Sequence, residues 1–377
     1  MKSPCIILLS NTTWYTYNFR KNLITFLIDK KYRVVCISPP DEYVDKLRSL
    51  GCTYYPISLS GSSINPLREV KYLLQIGKYI SRLSPVSILS FTPKPNIYSS
   101  LIAGLIGIPV IINISGLGTL FLRNSLVRYI AVILYKISLA RSGTVFFQNH
   151  DDLNQFESLG IISPTTHSVR ILPGSGVDLD YFSPTEQNIK NDPFIFLFSG
   201  RTLKDKGILE FIEATRQLRN RGYKFESRVI GSSKVYNSSS VPQSRITKWV
   251  EDGVINYLGM RDDMREQIKQ VNCLVLPSYR EGTPRSLLEG ASMGKPIITT
   301  NTAGCKNVVD DQITGYLVKV GDAEDLADKM EQMLRLTDSE RALMGERGRE
   351  KMLREYDEKF VLKEYDETLK LLEKISY

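Results

Sequence analysis

Cys273-Leu274-Val275-Leu276, followed by Pro277-Ser278-Tyr279-Arg280-Glu281-Gly282-Thr283-Pro284-Arg285-Ser286-Leu287-Leu288-Glu289-Gly290, is the stretch on which the fold turns. Its four leading apolar residues read as a buried strand. Pro284 suits the first helical position, where a missing N–H costs no intrahelical bond. Leu287, Leu288 and Ala291 give that helix an apolar face. A strand, a tight turn and a helix in this order aim the helix N-terminus, with its positive dipole end, out of the turn, which makes an anion site. Glu281 in the turn and Glu289, about a turn and a half into the helix, bracket that site. Amides for a phosphate and carboxylates for hydroxyls are what a sugar nucleotide requires.

The same alternation extends in both directions. Residues 1–175 predict strands at Ile6–Leu9, Val34–Ile37, Ile88–Phe91, Val110–Asn113, Val145–Phe147 and Val169–Leu172, with helical-period stretches between them. Residues 194–320 repeat the scheme at Phe194–Phe198, Phe225–Ile230, Asn256–Leu258, Cys273–Leu276, Ile297–Thr299 and Tyr316–Val318. Strands alternating with helices mean parallel sheets with crossover connections. At 377 residues the chain suits two domains, here 1–178 and 190–355, with a hinge from Gly174–Asp178 through Asp192-Pro193. Two doubly wound α/β domains facing a cleft would bind ligands at the carboxyl ends of their strands. From Asp322 to Tyr377 the pattern is almost continuously helical, with Gly345 and Gly348 as weak points. Its last part, 356–377, forms a tail in which Phe360, Tyr365, Leu369 and Leu372 are spaced to pack back on a domain.

Composition excludes several classes. With 42% apolar and 24% charged residues the chain is neither disordered nor a coiled coil. No run reaches the roughly 18 to 20 apolar residues of a bilayer span. The N-terminal apolar run is too short for a signal peptide. Five scattered cysteines without a C-x-x-C pair favour a reducing cytosol. Two histidines argue against a histidine-rich metal site.

Charge is distributed unevenly. Residues 1–185 hold 18 Lys/Arg against 10 Asp/Glu, a net of +8, whereas residues 186–377 hold 31 of each. No acid occurs between Glu69 and Asp151, a gap that contains Lys71, Lys78, Arg82, Lys94, Arg123, Arg128, Lys136 and Arg141. Such a face is either plain solvated surface or a contact for polyanions: nucleic acid, anionic lipid or a phosphorylated substrate. Leu126–Ile137 argues for an anionic membrane surface, being apolar well beyond one stripe, cation-flanked and too short to span. A buried core helix is the competing reading of that segment. Nucleic acid is disfavoured, because the basic region lacks interleaved Arg-Gly or aromatic repeats and no helix reads as a groove reader.

Taken together, several motifs carry a resemblance. They are Glu281 and Glu289 in a Glu-x7-Glu spacing, Phe198-Ser199-Gly200-Arg201 with Lys206-Gly207, Tyr257-Leu258-Gly259 and Gly304-Cys305. The first half adds Asp41-Glu42-Tyr43, Ile64-Asn65-Pro66, Phe91-Thr92-Pro93-Lys94-Pro95-Asn96 and Ser115-Gly116-Leu117-Gly118. Over essentially its whole length the chain resembles the retaining glycosyltransferases of family 4, which have the GT-B fold of two Rossmann-like domains. It is most similar to the bacterial members that extend undecaprenyl-diphosphate-linked saccharides. The resemblance implies a peripheral enzyme at the inner face of the plasma membrane, taking a UDP-sugar (a GDP-sugar in second place) and a lipid-diphosphate-linked saccharide. It makes 1–178 the acceptor domain and 190–355 the nucleotide-sugar domain, and it implies no cofactor and no metal.

Roles follow residue by residue. Arg201 and Lys206 come after the first strand of the second domain, where cations that tighten on a departing diphosphate would stabilise the transition state selectively. The resemblance gives the transferred sugar to Glu281, beside the Gly282-Thr283-Pro284 turn, and the ribose hydroxyls to Glu289. Gly231, Leu258 and Arg261 would line the nucleotide. In the first domain Ser10–Tyr15 replaces the Gly-Gly turn frequent in the family, leaving Thr13 and Trp14 to line the acceptor side. Pro93 stands where a histidine is frequent, and Lys94 beside it is the expected grip on a diphosphate. Gly116 and Asn149 open two further loops, and His150 reads as a surface or capping residue. Absence of a general base in this domain fits retention, in which the leaving phosphate takes the acceptor proton. The alternative is a sugar-nucleotide isomerase resembling UDP-N-acetylglucosamine 2-epimerase, which shares the double-Rossmann build.

Overall fold

The computed structural model describes residues 3–59, 65–117, 121, 126–140, 144–163, 165–184, 193–233 and 239–375. Ile64, Gly118, Arg123, Arg141 and the 185–192 part of the expected hinge lie outside the described residues. The chain divides into two compact units, Met1–Ser175 with Lys359–Tyr377, and Gly176–Glu358.

In the first unit, β1 (Cys5–Leu9), β2 (Arg33–Ser38), β3 (Thr53–Pro56), β4 (Ser87–Ser90), β5 (Val110–Ile114), β6 (Thr144–Phe147) and β7 (Ser168–Ile171) form one parallel sheet. Its order is β3-β2-β1-β4-β5-β6-β7. The crossovers run through α1 (Thr13–Asp29), α2 (Val44–Ser49), α3 (Pro66–Leu83), α4 (Pro93–Ile106), α5 (Leu126–Leu139) and α6 (His150–Ser158). Right-handed crossovers put α1 and α2 on one face and α3 to α6 on the other. The packing agrees: Tyr72, Ile76, Ile97, Tyr135 and Phe156 share one core cluster, and Leu23, Ile24, Leu27 and Leu47 another. The sequence reading missed β3. That strand is a half-exposed edge ending in proline, which its composition does not advertise.

The second unit is a parallel sheet of β8 (Phe194–Ser199), β9 (Phe225–Ile230), β10 (Asn256–Gly259), β11 (Cys273–Leu276), β12 (Ile297–Thr300) and β13 (Gly315–Val318), in the order β10-β9-β8-β11-β12-β13. Around it lie α7 (Ile208–Asn220), α8 (Gln243–Glu251), α9 (Met264–Lys269), α10 (Arg285–Ser292), α11 (Ala323–Arg335) and α12 (Asp338–Glu355). Both units are therefore doubly wound, with strand order reversing between β1 and β4 in one and between β8 and β11 in the other.

The helical pattern from Asp322 onward is divided into three helices, α11, α12 and α13 (Glu358–Ile375). Thr337 and Glu340 close a capping box that starts α12 afresh. Asp357 pairs with Val177 and stops it. Gly345 and Gly348 are not weak points but buried contacts inside α12; a Cβ on Gly345 would stand 1.9 Å from the Gly294 carbonyl oxygen. The last helix does pack on the first unit, through Tyr365, Leu369 and Leu372 as expected and through Val361 in addition, while Phe360 is exposed. The Tyr365 hydroxyl donates to Asn113 Oδ1 beneath it.

Candidate active site

In the second unit the loops that follow β8 and β11 meet at the switch point, and side chains 75 residues apart come together there. Lys206 Nζ forms an ion pair with Glu281 Oε1, and both side chains are largely shielded from solvent. Lys206 ends a single 3-10 turn, Lys204–Lys206, which Gly207 closes at φ 74°. A Cβ there would lie 2.0 Å from the Pro277 carbonyl oxygen, so only glycine lets the lysine turn press against the loop after β11. The Asp205 carbonyl then accepts from Tyr279 N at 2.9 Å and from Ser278 Oγ at 3.1 Å, tying the two loops together.

Glu281 is held from its other side by the loop after β12. Its N–H donates to the Ala303 carbonyl at 3.1 Å, and Thr302 Oγ1 donates to the Tyr279 carbonyl at 2.9 Å. Gly304, at φ 79°, packs so closely that a Cβ would be 2.2 Å from the Gly282 carbonyl oxygen and 2.4 Å from that of Glu281. Cys305 beside it is buried, and burial together with the Glu281 charge pushes its thiol up to about 12, so it is inert as a nucleophile near neutrality.

Pro284 is the N-cap of α10 and not its first helical residue. Its extended ψ of 109° keeps it outside the helix, while its carbonyl already accepts from Leu287 N at 3.0 Å. Glu289 is buried, at 8% exposure, and accepts a hydrogen bond from Arg285 Nε at 2.9 Å one helical turn earlier. That partner was not singled out in the sequence, although the i,i+4 spacing displays it. Gly290 lets α10 lie on β11, since a Cβ would meet Leu274 at 2.6 Å.

Gly231 bridges its neighbours at the same edge. Its N–H donates to the Gly259 carbonyl at 3.0 Å, Tyr257 Oη donates to its carbonyl at 2.7 Å, and a Cβ would be 1.8 Å from the Gly200 oxygen. Leu258 is half-buried against the core, and Arg201 and Arg261 are exposed. Tyr181 was also missed. Its hydroxyl reaches Asp263 at 3.4 Å and the Arg265 guanidinium covers its ring at 5.4 Å. Burial, Asp263 and Glu289 together raise its phenol above the ordinary range.

The first-unit residues have partners of their own. Thr13 Oγ1 donates to Asp41, whose other oxygen accepts from Trp14 N at 3.0 Å, so a carboxylate fills the start of α1. Lys94 Nζ donates to Glu69 at 2.6 Å, and Tyr98 Oη donates to the same carboxylate at 2.7 Å. Asn149 is buried as the N-cap of α6, its Oδ1 accepting from Asp152 N at 2.8 Å. Gly116, at φ 105°, follows β5 as a half-buried turn residue. His150 is the exposed first residue of α6.

Family comparisons match both halves. The family model of glycosyl transferases group 1 matches residues 182–351, and that of glycosyl transferase 4-like matches residues 5–149. The chain is 28% identical to the N,N'-diacetylbacillosaminyl-diphospho-undecaprenol alpha-1,3-N-acetylgalactosaminyltransferase of Campylobacter jejuni, covering 86% of this chain and 88% of that one. It is 24% identical to the UDP-Gal:alpha-D-GlcNAc-diphosphoundecaprenol alpha-1,3-galactosyltransferase of Escherichia coli, covering 73% and 72%. Among solved structures, HepE of Anabaena in complex with UDP-glucose superposes with a TM-score of 0.80 at 15% identity, over 97% of this chain and 99% of the other. The isomerase alternative has no support in these matches. Nor does His167 serve it, since its Nδ1 accepts from Ser163 N at 3.2 Å and its Nε2 meets the Leu139 carbonyl at 3.0 Å.

Proposed function

We propose, for a chain that belongs to the GT-B glycosyltransferases pairing a glycosyl transferase 4-like domain with a group 1 domain, that it moves a hexose or N-acetylhexosamine from a UDP-sugar to an undecaprenyl-diphosphate-linked saccharide. The product belongs to a bacterial surface polysaccharide or glycan. Transfer is retaining and needs no metal, and the enzyme works peripherally at the inner face of the plasma membrane. The observation that carries this reading is the pairing of Lys206 with Glu281 and of Arg285 with Glu289 at one carboxyl edge of the second unit.

Glycosyl bond cleavage leaves charge on the β-phosphate. Arg201 and Lys206 supply the electrostatic complement to it, beside the Gly282-Thr283-Pro284 turn at the start of α10. Glu281 faces the transferred sugar, held in place by its ion pair with Lys206. Glu289 takes the ribose hydroxyls, while Gly231, Leu258 and Arg261 border the nucleotide. The leaving phosphate then accepts the proton of the acceptor hydroxyl on the face it vacates, which preserves configuration. Thr13, Trp14, Lys94, Gly116 and Asn149 belong to the acceptor side, where Asn149 acts through the loop it caps. The acceptors and donors named for the Campylobacter and Escherichia relatives support the lipid-diphosphate and UDP assignments.

The test is transfer from labelled UDP-sugars to a detergent-dispersed undecaprenyl-diphosphate saccharide with chelator present. Label should appear in the lipid fraction with the anomeric configuration of the donor. Arg201→Ala and Lys206→Ala should slow turnover about a hundredfold, and Glu289→Ala should raise the donor KM. No transfer with any donor, or full turnover in both cation variants, overturns the assignment.

A further inference from the structure

Helix α5 answers the question its sequence poses. Only Ala131, Tyr135, Ser138 and Leu139 of its side chains are buried. Leu126, Tyr129, Ile130, Ile133 and Ile137 recur at helical spacing on its outer side, Leu126 at 77% and Tyr129 at 72% exposure. It is therefore no core helix, and its solvent face is as apolar as its core face. On α3 the pattern repeats with Leu67, Val70 and Leu74, at 81%, 52% and 70%. Both helices pack against α4, which lies between them in the same layer of the first unit. Eleven of the twenty large apolar residues exposed among the described residues belong to these three helices, so the exposure is concentrated rather than scattered.

Charge decides what covers this face. Its flanks carry Arg68, Lys71, Lys78 and Arg82 on α3 and Lys136 on α5, all exposed. Glu69, the one acid on the three helices, is already engaged by Lys94 and Tyr98. Exposed apolar ridges with cations at their borders and no competing acid are complementary to an anionic bilayer interface, where apolar side chains enter the acyl boundary and Lys/Arg meet head groups. Among the described residues no helix is long and apolar enough to cross a membrane, so the contact is one of lying on the surface. Because each helix starts at the carboxyl end of its preceding strand, Leu67 and Leu126 sit nearest the strand edge that carries the first unit's loops.

We infer that the outer faces of α3 and α5 form one docking surface for an anionic lipid bilayer, with Leu67, Leu74, Leu126, Tyr129, Ile130 and Ile133 as the inserted residues. The inference rests on the lipid-linked acceptor proposed above for its purpose, but the surface is testable without turnover. Full-length protein is sedimented with phosphatidylcholine vesicles with and without phosphatidylglycerol. A triple variant, Leu126→Ser with Ile130→Ser and Ile133→Ser, should lose partitioning to both by about tenfold or more. Lys71→Gln with Lys78→Gln and Arg82→Gln should lose mainly the preference for anionic vesicles. Both variants should keep wild-type transfer to a short-chain, water-soluble diphosphate acceptor. As a reporter that leaves the ridge intact, Tyr129→Trp should be quenched by brominated lipid. Unchanged partitioning in the triple variant, an unquenched tryptophan, or a wild-type dimer that the triple variant dissolves would each overturn the assignment, the last in favour of a second copy of this chain. Vesicle binding without any sugar transfer would leave this surface standing and remove the proposed reaction instead.

Discussion

Replacing Lys206 by methionine and Glu281 by glutamine, singly and together, separates what their pairing does for the fold from what it does for chemistry. Both side chains are mostly removed from water, at 18% and 13% exposure. Two charges in contact there attract by about 4 kcal/mol at an effective dielectric near 20. Desolvation offsets much of that, so the pair itself adds little to stability. Removing one member is different, because it strands a half-buried charge between loops that Gly207 and Gly304 hold rigidly together. Each single variant should therefore lose about 2–3 kcal/mol, and the double variant should lose less than the sum, with a coupling of about 2 kcal/mol. Urea denaturation midpoints read this directly. Turnover should behave otherwise: each single variant falls about a hundredfold, and the double variant stays as slow although its stability has recovered. Additive stability losses would show that the charges do not interact in solution. Recovery of turnover in the double variant would make the pair a structural clasp and remove both residues from the reaction.

Four further outcomes follow from the same geometry. Arg285→Gln should raise the donor KM severalfold with kcat nearly unchanged, and Arg285→Lys should restore part of it, since the guanidinium acts by orienting Glu289. Gly304→Ala should cost about 1–3 kcal/mol in thermal unfolding and more than tenfold in turnover, because its Cβ would displace the Glu281 carbonyl. Tyr365→Phe should cost about 1–2 kcal/mol in urea unfolding by leaving buried Asn113 Oδ1 without its donor. Burial lowers the Lys295 ammonium to about 8 from 10.5, so between those values the unfolded chain binds more protons and stability rises with pH. Lys295→Met should flatten that rise, which is at most about 3 kcal/mol, in denaturation curves taken from pH 7 to 11.

What the sequence displays is local. Apolar runs such as Phe194–Ser199 and Cys273–Leu276 are buried on both faces, so every residue reports the same environment and the strand is plain. Strand β3 is an edge with mixed exposure, and nothing in Thr53–Pro56 marks it. Gly345 was legible only as a helix weakener, because the carbonyl it accommodates lies 51 residues earlier at Gly294. Candidate site residues behave alike. Glu281 and Glu289 are legible as a spaced pair and Arg201 and Lys206 by their place after a strand, yet the Lys206–Glu281 contact depends on how the loops after two separate strands meet. Arg285 was within reach through its spacing from Glu289. Asp41 as the acid at the start of α1 was not, since 27 residues and a whole crossover separate it from Trp14.

That last contact bears on how the two switch points differ. Each unit places a helix N-terminus beside the carboxyl end of its first strand or its fourth, and by dipole alone both would attract an anion. In the first unit Asp41 has taken that place: its oxygens accept from Thr13 Oγ1 and from the amides of Trp14 and Tyr43. A second anion brought to α1 would meet a carboxylate. Lys94, the nearest cation of the α4 start, is likewise engaged by Glu69. In the second unit the acid closest to the start of α10 is Glu281, but its carboxylate is turned to Lys206. A diphosphate arriving there meets an acid whose charge is already balanced, with Arg201 exposed at the same edge. The net charge of the two halves would send the phosphate to the first unit; the local pairing of acids with cations favours the second.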